Sequence, residues 1–105
     1  MPKELRKEFM GIGEVSGYRF TCLRKDGYAY LYEACLLDDD CVNVLERHYE
    51  VFERRVNGTY DCVKYPRSKA FGDWAFSYRA NDYDLALTKF DELRARVKAR
   101  LEDCE

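Results

Sequence analysis

The residue types best suited to metal binding or acid–base catalysis are one histidine, His48, and five cysteines. The order Cys35-x5-Cys41-x6-His48-x13-Cys62 fits none of the ligand spacings of structural zinc sites. As a general base, His48 would need a nucleophile or an orienting carboxylate within hydrogen-bond reach, and the sequence points to neither. We therefore expect no metal, no cofactor and no catalytic residue, with the cysteines present as reduced, packed thiols.

Two short segments have the composition of ligand loops but not their pattern. Gly11-Ile12-Gly13 lacks the strand-to-helix context and the lysine of a phosphate-binding loop. The run Asp38-Asp39-Asp40 lacks the spaced acidic ligands and the intervening glycine of a calcium loop, and is typical of a solvated turn. The sequence therefore indicates a protein that is not an enzyme.

Three tyrosines, Tyr28, Tyr30 and Tyr32, alternate along one predicted strand and so point to the same side of a sheet. If exposed, they could stack unpaired bases while Arg24 and Lys25 contact phosphates. The burial habits of aromatic residues favour the other interpretation, in which they are core residues under a helix.

A polar loop at Arg67-Ser68-Lys69 carries two cations and could bind an anion, although its composition is also that of an ordinary solvated loop. Tyrosine and arginine are enriched where proteins contact each other. The candidate binding residues from the sequence are Arg24, Lys25, Tyr28, Arg67 and Lys69.

The composition limits the class of protein. The 105 residues correspond to one domain, residues 1–105, and the net charge of −2 lacks the basic excess of a general duplex-DNA binder. The N-terminus is charged and does not resemble a signal peptide, and no apolar run approaches the length of a membrane span. With reduced cysteines, these features predict a cytoplasmic protein.

The elements that must position these residues begin with a hairpin that turns around Lys25-Asp26-Gly27. In one register, two residues form the turn and Arg19 lies opposite Ala34. In the register that we favour, three residues form the loop and Arg19 lies opposite Glu33, which pairs opposite charges. One face of the hairpin then carries Tyr18, Phe20, Cys22, Tyr30, Tyr32 and Ala34.

The middle of the chain is ambiguous, since residues 41–56 fit either a helix or a strand. The pair Asn57-Gly58 is a strong signal for a type I′ hairpin, and it therefore predicts strands at about 47–56 and 59–64. Alternating aromatic residues predict a fifth strand over 73–79.

The two ends of the chain differ in the strength of their pattern. Residues 3–10 have the composition for one or two helical turns before a glycine-rich stop. Apolar residues at spacings of three and four predict a helix over 82–102, with cations in its last turns. The predicted fold is α+β: a mainly antiparallel sheet of four or five strands with this helix packed on one face, in an order that the sequence does not fix.

Four segments carry a resemblance to a family: GEVSGYRFT at 13–21, YEVFERRV at 49–56, YPRSKAFGDWAFSY at 65–78 and ALTKFDEL at 86–93. Together they resemble small proteins carried by bacterial mobile elements and phages, a group without an established activity. The resemblance therefore implies a context and no catalytic residues. Short proteins of such elements often bind and inhibit host defence machinery.

From these features we expect a small binding protein that inhibits a host defence protein, such as a nuclease complex, by stoichiometric association, in the manner of anti-CRISPR proteins. The alternative is a nucleic-acid or nucleotide-binding protein that uses aromatic stacking on its sheet. We expect no membrane association, and either a monomer or a homodimer formed through a sheet edge.

Overall fold

The computed structural model describes residues 2–103. It contains strands β1 (Glu8–Met10), β2 (Tyr18–Lys25), β3 (Ala29–Leu37), β4 (Val44–Glu53), β5 (Val56–Asn57), β6 (Cys62–Val63) and β7 (Ala75–Arg79), followed by helix α1 (Tyr83–Asp103). Five strands form an antiparallel sheet in the order β1-β2-β3-β4-β7, and β5 pairs with β6 in a separate ribbon. Because α1 packs across this sheet against β3, β4 and β7, the predicted α+β fold is confirmed.

The β2–β3 hairpin is present, but neither of the two registers predicted from the sequence is correct. Arg19 lies opposite Cys35, and an extra residue, Leu23, forms a β-bulge in β2. The favoured register depended on an Arg19–Glu33 charge pair, which the bulge and the local hydrogen bonds of the turn outweigh. The shift at Arg19 is by two residues, so the predicted faces of the hairpin are retained.

The predicted hairpin of strands 47–56 and 59–64 is wrong in its extent. The strand β4 begins and ends earlier than predicted, and the ribbon of β5 and β6 contains two residue pairs only. A type I′ turn needs a positive φ at both Asn57 and Gly58, and neither residue has one. Asp61 takes the left-handed conformation instead, with φ 49°, which gives a longer loop.

The N-terminal residues 3–10 do not form the helical turns that their composition suggested. They are extended: β1 pairs antiparallel with β2, and Lys3 forms a parallel bridge with Cys62. The ring of Phe9 stacks on Phe20 with 5.0 Å between centroids. Burial of this ring against the sheet therefore overrides a local helical preference.

Helix α1 agrees with its prediction to within one residue at each end. Its buried side chains are Ala86, Phe90, Leu93 and Val97. Phe90 and Leu93 belong to one cluster with Leu31 and Val51 of the sheet, and Phe76 and Tyr78 of β7 pack against that cluster. Leu101, in the last turn of the helix, is 56% exposed, so the packing of α1 on the sheet ends at Val97.

The opposite face of the sheet carries a second cluster, which is rich in aromatic rings. Its buried members from the sheet are Phe20, Tyr30, Tyr32, Ala34, Phe52 and Ala75. The N-terminal segment and the loop after β6 cover this cluster through Leu5, Phe9 and Tyr65. Tyr30 and Tyr32 are therefore core residues, as favoured from the sequence, but the helix lies on the other face.

Trp74 also lies on a different face of the sheet from the one predicted. In the fifth strand predicted over 73–79, the alternating aromatic residues are Trp74, Phe76 and Tyr78, which would share one face. Trp74 lies just before β7, and packs against the aromatic cluster on the side away from the helix.

Candidate functional site

The β2–β3 hairpin ends in a short exposed segment, residues 23–28, which we call the hairpin tip. The bulge at Leu23 leaves this apolar side chain 39% exposed beside Arg24 and Lys25, both of which are exposed. A bulge changes the direction of side chains on its strand. The tip therefore presents an apolar group between cations at the end of the sheet.

Asp26 fixes the conformation of the hairpin tip. Its Oδ1 accepts hydrogen bonds from the backbone N–H groups of Tyr28, at 2.8 Å, and Ala29, at 3.1 Å. Its Oδ2 accepts a hydrogen bond from Nε of Arg94 on α1, and Arg94 also pairs with Asp91 at 3.0 Å. The loop is thus stabilised locally and held to the helix, so its cations are displayed on a rigid support.

Tyr28 lies half-buried where the hairpin tip meets the helix. Its carbonyl oxygen accepts a hydrogen bond of 2.8 Å from the N–H of Arg54. It borders a shallow depression of about 360 Å³ that Arg94 and Lys98 of α1 also line. A second depression of about 200 Å³, on the side of β2, is lined by Lys7, Leu23, Arg24 and Lys25.

The other two candidate residues, Arg67 and Lys69, lie elsewhere. Both are exposed on the loop after β6 and line a cleft of about 630 Å³, which we call the basic cleft. The basic cleft shares no lining residue with either of the two depressions beside the hairpin tip. The structure therefore divides the five predicted binding residues into two separate surfaces.

A buried carboxylate, Glu53, joins the sheet to the end of the helix. Its side chain is 1% exposed and accepts hydrogen bonds from Arg55, Arg96 and Arg100, at 3.1, 2.5 and 3.0 Å for the closest ion-pair contacts. Burial opposes ionisation of Glu53, but hydrogen bonds from Arg100, Arg96 and Arg55 outweigh it and hold the pKa below its usual value. The cluster fixes α1 to β4 through charge.

His48 has the orienting carboxylate that the sequence did not reveal. Its Nε2 lies 2.8 Å from Oε2 of Glu50, and the hydroxyl of Tyr65 donates to Oε1 of the same carboxylate. Burial, together with the charge of Glu50, raises the pKa of Tyr65, so its phenol stays protonated as a donor. The spacing of two residues along β4 was the only sequence signal that His48 and Glu50 share a face.

The N-terminal segment is held on the aromatic cluster by its polar groups. The carboxylate of Glu4 accepts hydrogen bonds from Arg54, at 2.5 Å for the closest, and from the hydroxyl of Tyr30. The hydrogen bonds from Arg54 are the main reason that the pKa of Glu4 falls to about 2. The Tyr32 hydroxyl donates to the carbonyl oxygen of Arg6 at 2.5 Å.

These contacts remove the basis of base stacking on the tyrosines. Tyr30 and Tyr32 are fully buried, and their hydroxyl groups bind protein acceptors. Burial, with the hydrogen bond to Glu4, raises the pKa of Tyr30 to about 12. A base therefore cannot reach these two rings while the N-terminal segment is in place.

Four cysteines, at positions 22, 35, 41 and 62, lie within the described residues, and all four are free thiols. Only Cys35 is buried, while Cys41 is exposed, so the interpretation of the cysteines as packed core residues is wrong for Cys41. Cys104 lies outside the described residues. Within residues 2–103, no three side chains of histidine, cysteine, aspartate or glutamate come together as metal ligands.

We found no match to this chain among protein-family models, curated proteins or solved structures. No helix in residues 2–103 has both the length and the apolar composition needed to cross a membrane. The candidate site is therefore defined by the geometry of the chain alone, as an anchored hairpin tip and a basic cleft.

Proposed function

We propose that this protein acts by stoichiometric association with another protein, without catalysing a reaction. The observation that carries this proposal is the order of the hairpin tip. Asp26 caps the backbone of the tip, and Arg94 of the helix binds Asp26 and holds the tip in position. A surface that is ordered before binding loses less conformational entropy in the complex.

The chemistry of the hairpin tip supports a protein partner. Arg24 and Lys25 take part in none of the ion pairs found within residues 2–103, so their charges are available to a partner. Leu23 and the half-buried Tyr28 add apolar contact area beside these charges. Tyrosine and arginine are enriched at protein interfaces, and an apolar centre with a charged rim is the usual arrangement. The surface fits a partner with acidic side chains around an apolar contact.

The proposed partner is a host defence protein, such as a nuclease complex, in the cytoplasm. The resemblance to small proteins of bacterial mobile elements supports this choice of partner. A protein that occupies a site on a nuclease complex inhibits it by exclusion, which needs no catalytic group on the inhibitor. On this proposal the protein works as a monomer or a homodimer and needs no cofactor.

The test is a titration of a purified defence nuclease with this protein, in which binding and nuclease activity are followed in the same samples. We expect activity to fall in proportion to the complex formed and to reach its minimum at about one equivalent of inhibitor. Full inhibition far below one equivalent would indicate catalysis, and unchanged activity in a saturated complex would exclude inhibition.

The salt dependence of binding distinguishes the alternative function, which is binding of nucleic acid. Contacts to phosphates release counterions, so affinity for an oligonucleotide falls steeply as salt is added. Tight, salt-sensitive binding to oligonucleotides that Arg24→Glu weakens, and that therefore uses the hairpin tip, would contradict the proposed function and favour this alternative.

A further inference from the structure

The basic cleft has the size and shape of a small-molecule site. Its volume of about 630 Å³ lies between the β5–β6 ribbon and the segment that leads into β7. Ligand sites in proteins are typically clefts of roughly 300–1,000 Å³. The cleft is lined by both charged groups and an aromatic side chain, Trp74.

The charge of the cleft favours an anion. Lys64, Arg67 and Lys69 line it together with a single carboxylate, that of Asp73. None of the three cations belongs to an ion pair among the described residues. Three like charges around one cavity repel each other, and a bound anion offsets this repulsion by attracting all three. Guanidinium and ammonium groups in combination are the usual donors to phosphate.

The loop that carries these cations is fixed in advance. The N–H of Ala70 donates to the carbonyl oxygen of Arg67 at 2.9 Å, and the N–H of Trp74 donates to that of Ala70 at 3.0 Å. Pro66 and Ala70 are buried, and the hydroxyl of Tyr65 donates to the buried carboxylate of Glu50. The backbone that carries the cations is therefore ordered without a ligand, which lowers part of the entropic cost of binding one.

Trp74 supplies an aromatic surface at the border of the same cleft. Its indole is half-buried, and the guanidinium carbon of Arg55 lies 4.8 Å from the ring centroid on one side. Arg55 is itself held by an ion pair of 3.1 Å with Glu53, so its contact helps to fix the orientation of the indole ring. An indole beside free cations is the combination that holds a base and its phosphate together.

We propose that the basic cleft binds a nucleotide, with the phosphates at Lys64, Arg67 and Lys69 and the base at Trp74. The proposal is independent of protein association through the hairpin tip, because the two surfaces share no lining residue. It also differs from stacking on the sheet tyrosines, whose rings are buried.

The protein carries its own reporter, since Trp74 is its only tryptophan. We would titrate the full chain with ATP and follow tryptophan emission, using adenosine and inorganic phosphate as partial ligands. Saturable quenching or a spectral shift is expected with ATP, with weaker binding of either partial ligand. The affinity should fall as salt is added, since the phosphates contact cations.

Two substitutions and two matched controls localise the site. Arg67→Ala and Lys69→Ala should each weaken ATP binding by about tenfold or more, the loss expected for a charge-assisted hydrogen bond. Arg79→Ala removes an exposed arginine of β7 outside the cleft and should leave the affinity unchanged. Arg24→Glu at the hairpin tip should also leave it unchanged, which separates this test from that of the protein-binding proposal.

Absence of a saturable change up to millimolar ATP would overturn the proposal, as would equal losses in the cleft variants and the Arg79→Ala control. Binding of polyglutamate in the cleft without binding of ATP would assign the cations to an acidic protein segment, which also contradicts a nucleotide site.

Discussion

Glu53 is a single residue that links β4 to α1, and no pattern in the sequence indicates this role. In the sequence its neighbour Arg55 lies close by, but Arg96 and Arg100 are 43 and 47 residues away. The cations in the last turns of α1 were explained by the helix dipole, and their spacing of four residues was the only sign that two of them share a face. Pairing over such separations depends on the path of the chain and not on a local pattern.

Replacement of Glu53 by Gln should destabilise the fold by roughly 3 kcal/mol, because three guanidinium groups lose the buried carboxylate between them. Urea unfolding followed by circular dichroism would measure the change. The matched control is Glu92→Gln, since Glu92 is exposed and its ion pair within residues 2–103 is with Lys89. Its expected loss is below about 1 kcal/mol. Equal losses in the two variants would show that the Glu53 cluster does not hold the helix.

Among the elements, those with long periodic patterns were predictable. The 3.6-residue period of α1 and the alternation in β7 located these elements to within two residues at each end, and the turn signal located the β2–β3 hairpin. The register of the β2–β3 hairpin was not predictable, because neither the bulge at Leu23 nor the capping of the turn by Asp26 has a signal in the alternating pattern. The prediction of helical turns over residues 3–10 was wrong because β1 forms only through its pairing with β2.

The packing of α1 gives a test of the fold. Phe90 is 5% exposed and lies in one cluster with Leu31 and Val51 of the sheet. Phe90→Ala should lower the free energy of unfolding by roughly 3–5 kcal/mol, since it removes a buried ring and leaves a cavity. As a control, Leu85→Ala removes a side chain of the same helix that is 56% exposed, and should cost below about 1 kcal/mol. A loss below 1 kcal/mol for Phe90→Ala itself would contradict the packing of the helix on this face.

For the molecule as a whole, the two faces of the sheet are covered by different means. The long helix covers one face, and the residues before β1 together with the segment between β6 and β7 cover the other. The sequence indicated the helix but placed the tyrosines under it, because the segments that cover them on the other face have no periodic pattern. The same limit applies to the candidate site: residue types indicated Arg24, Lys25, Tyr28, Arg67 and Lys69, and only the folded chain divides them into two surfaces.

The proposed function depends on association through the hairpin tip, and titration calorimetry with two charge-reversed variants, one at the tip and one away from it, tests this. A purified defence nuclease, the proposed partner, would be titrated with the natural sequence, with Arg24→Glu and with Arg79→Glu, which reverses an exposed strand arginine away from the tip. We predict one equivalent bound in each case, an affinity at least about tenfold weaker for Arg24→Glu and no change for Arg79→Glu. Equal affinities for Arg24→Glu and the natural sequence would contradict the account.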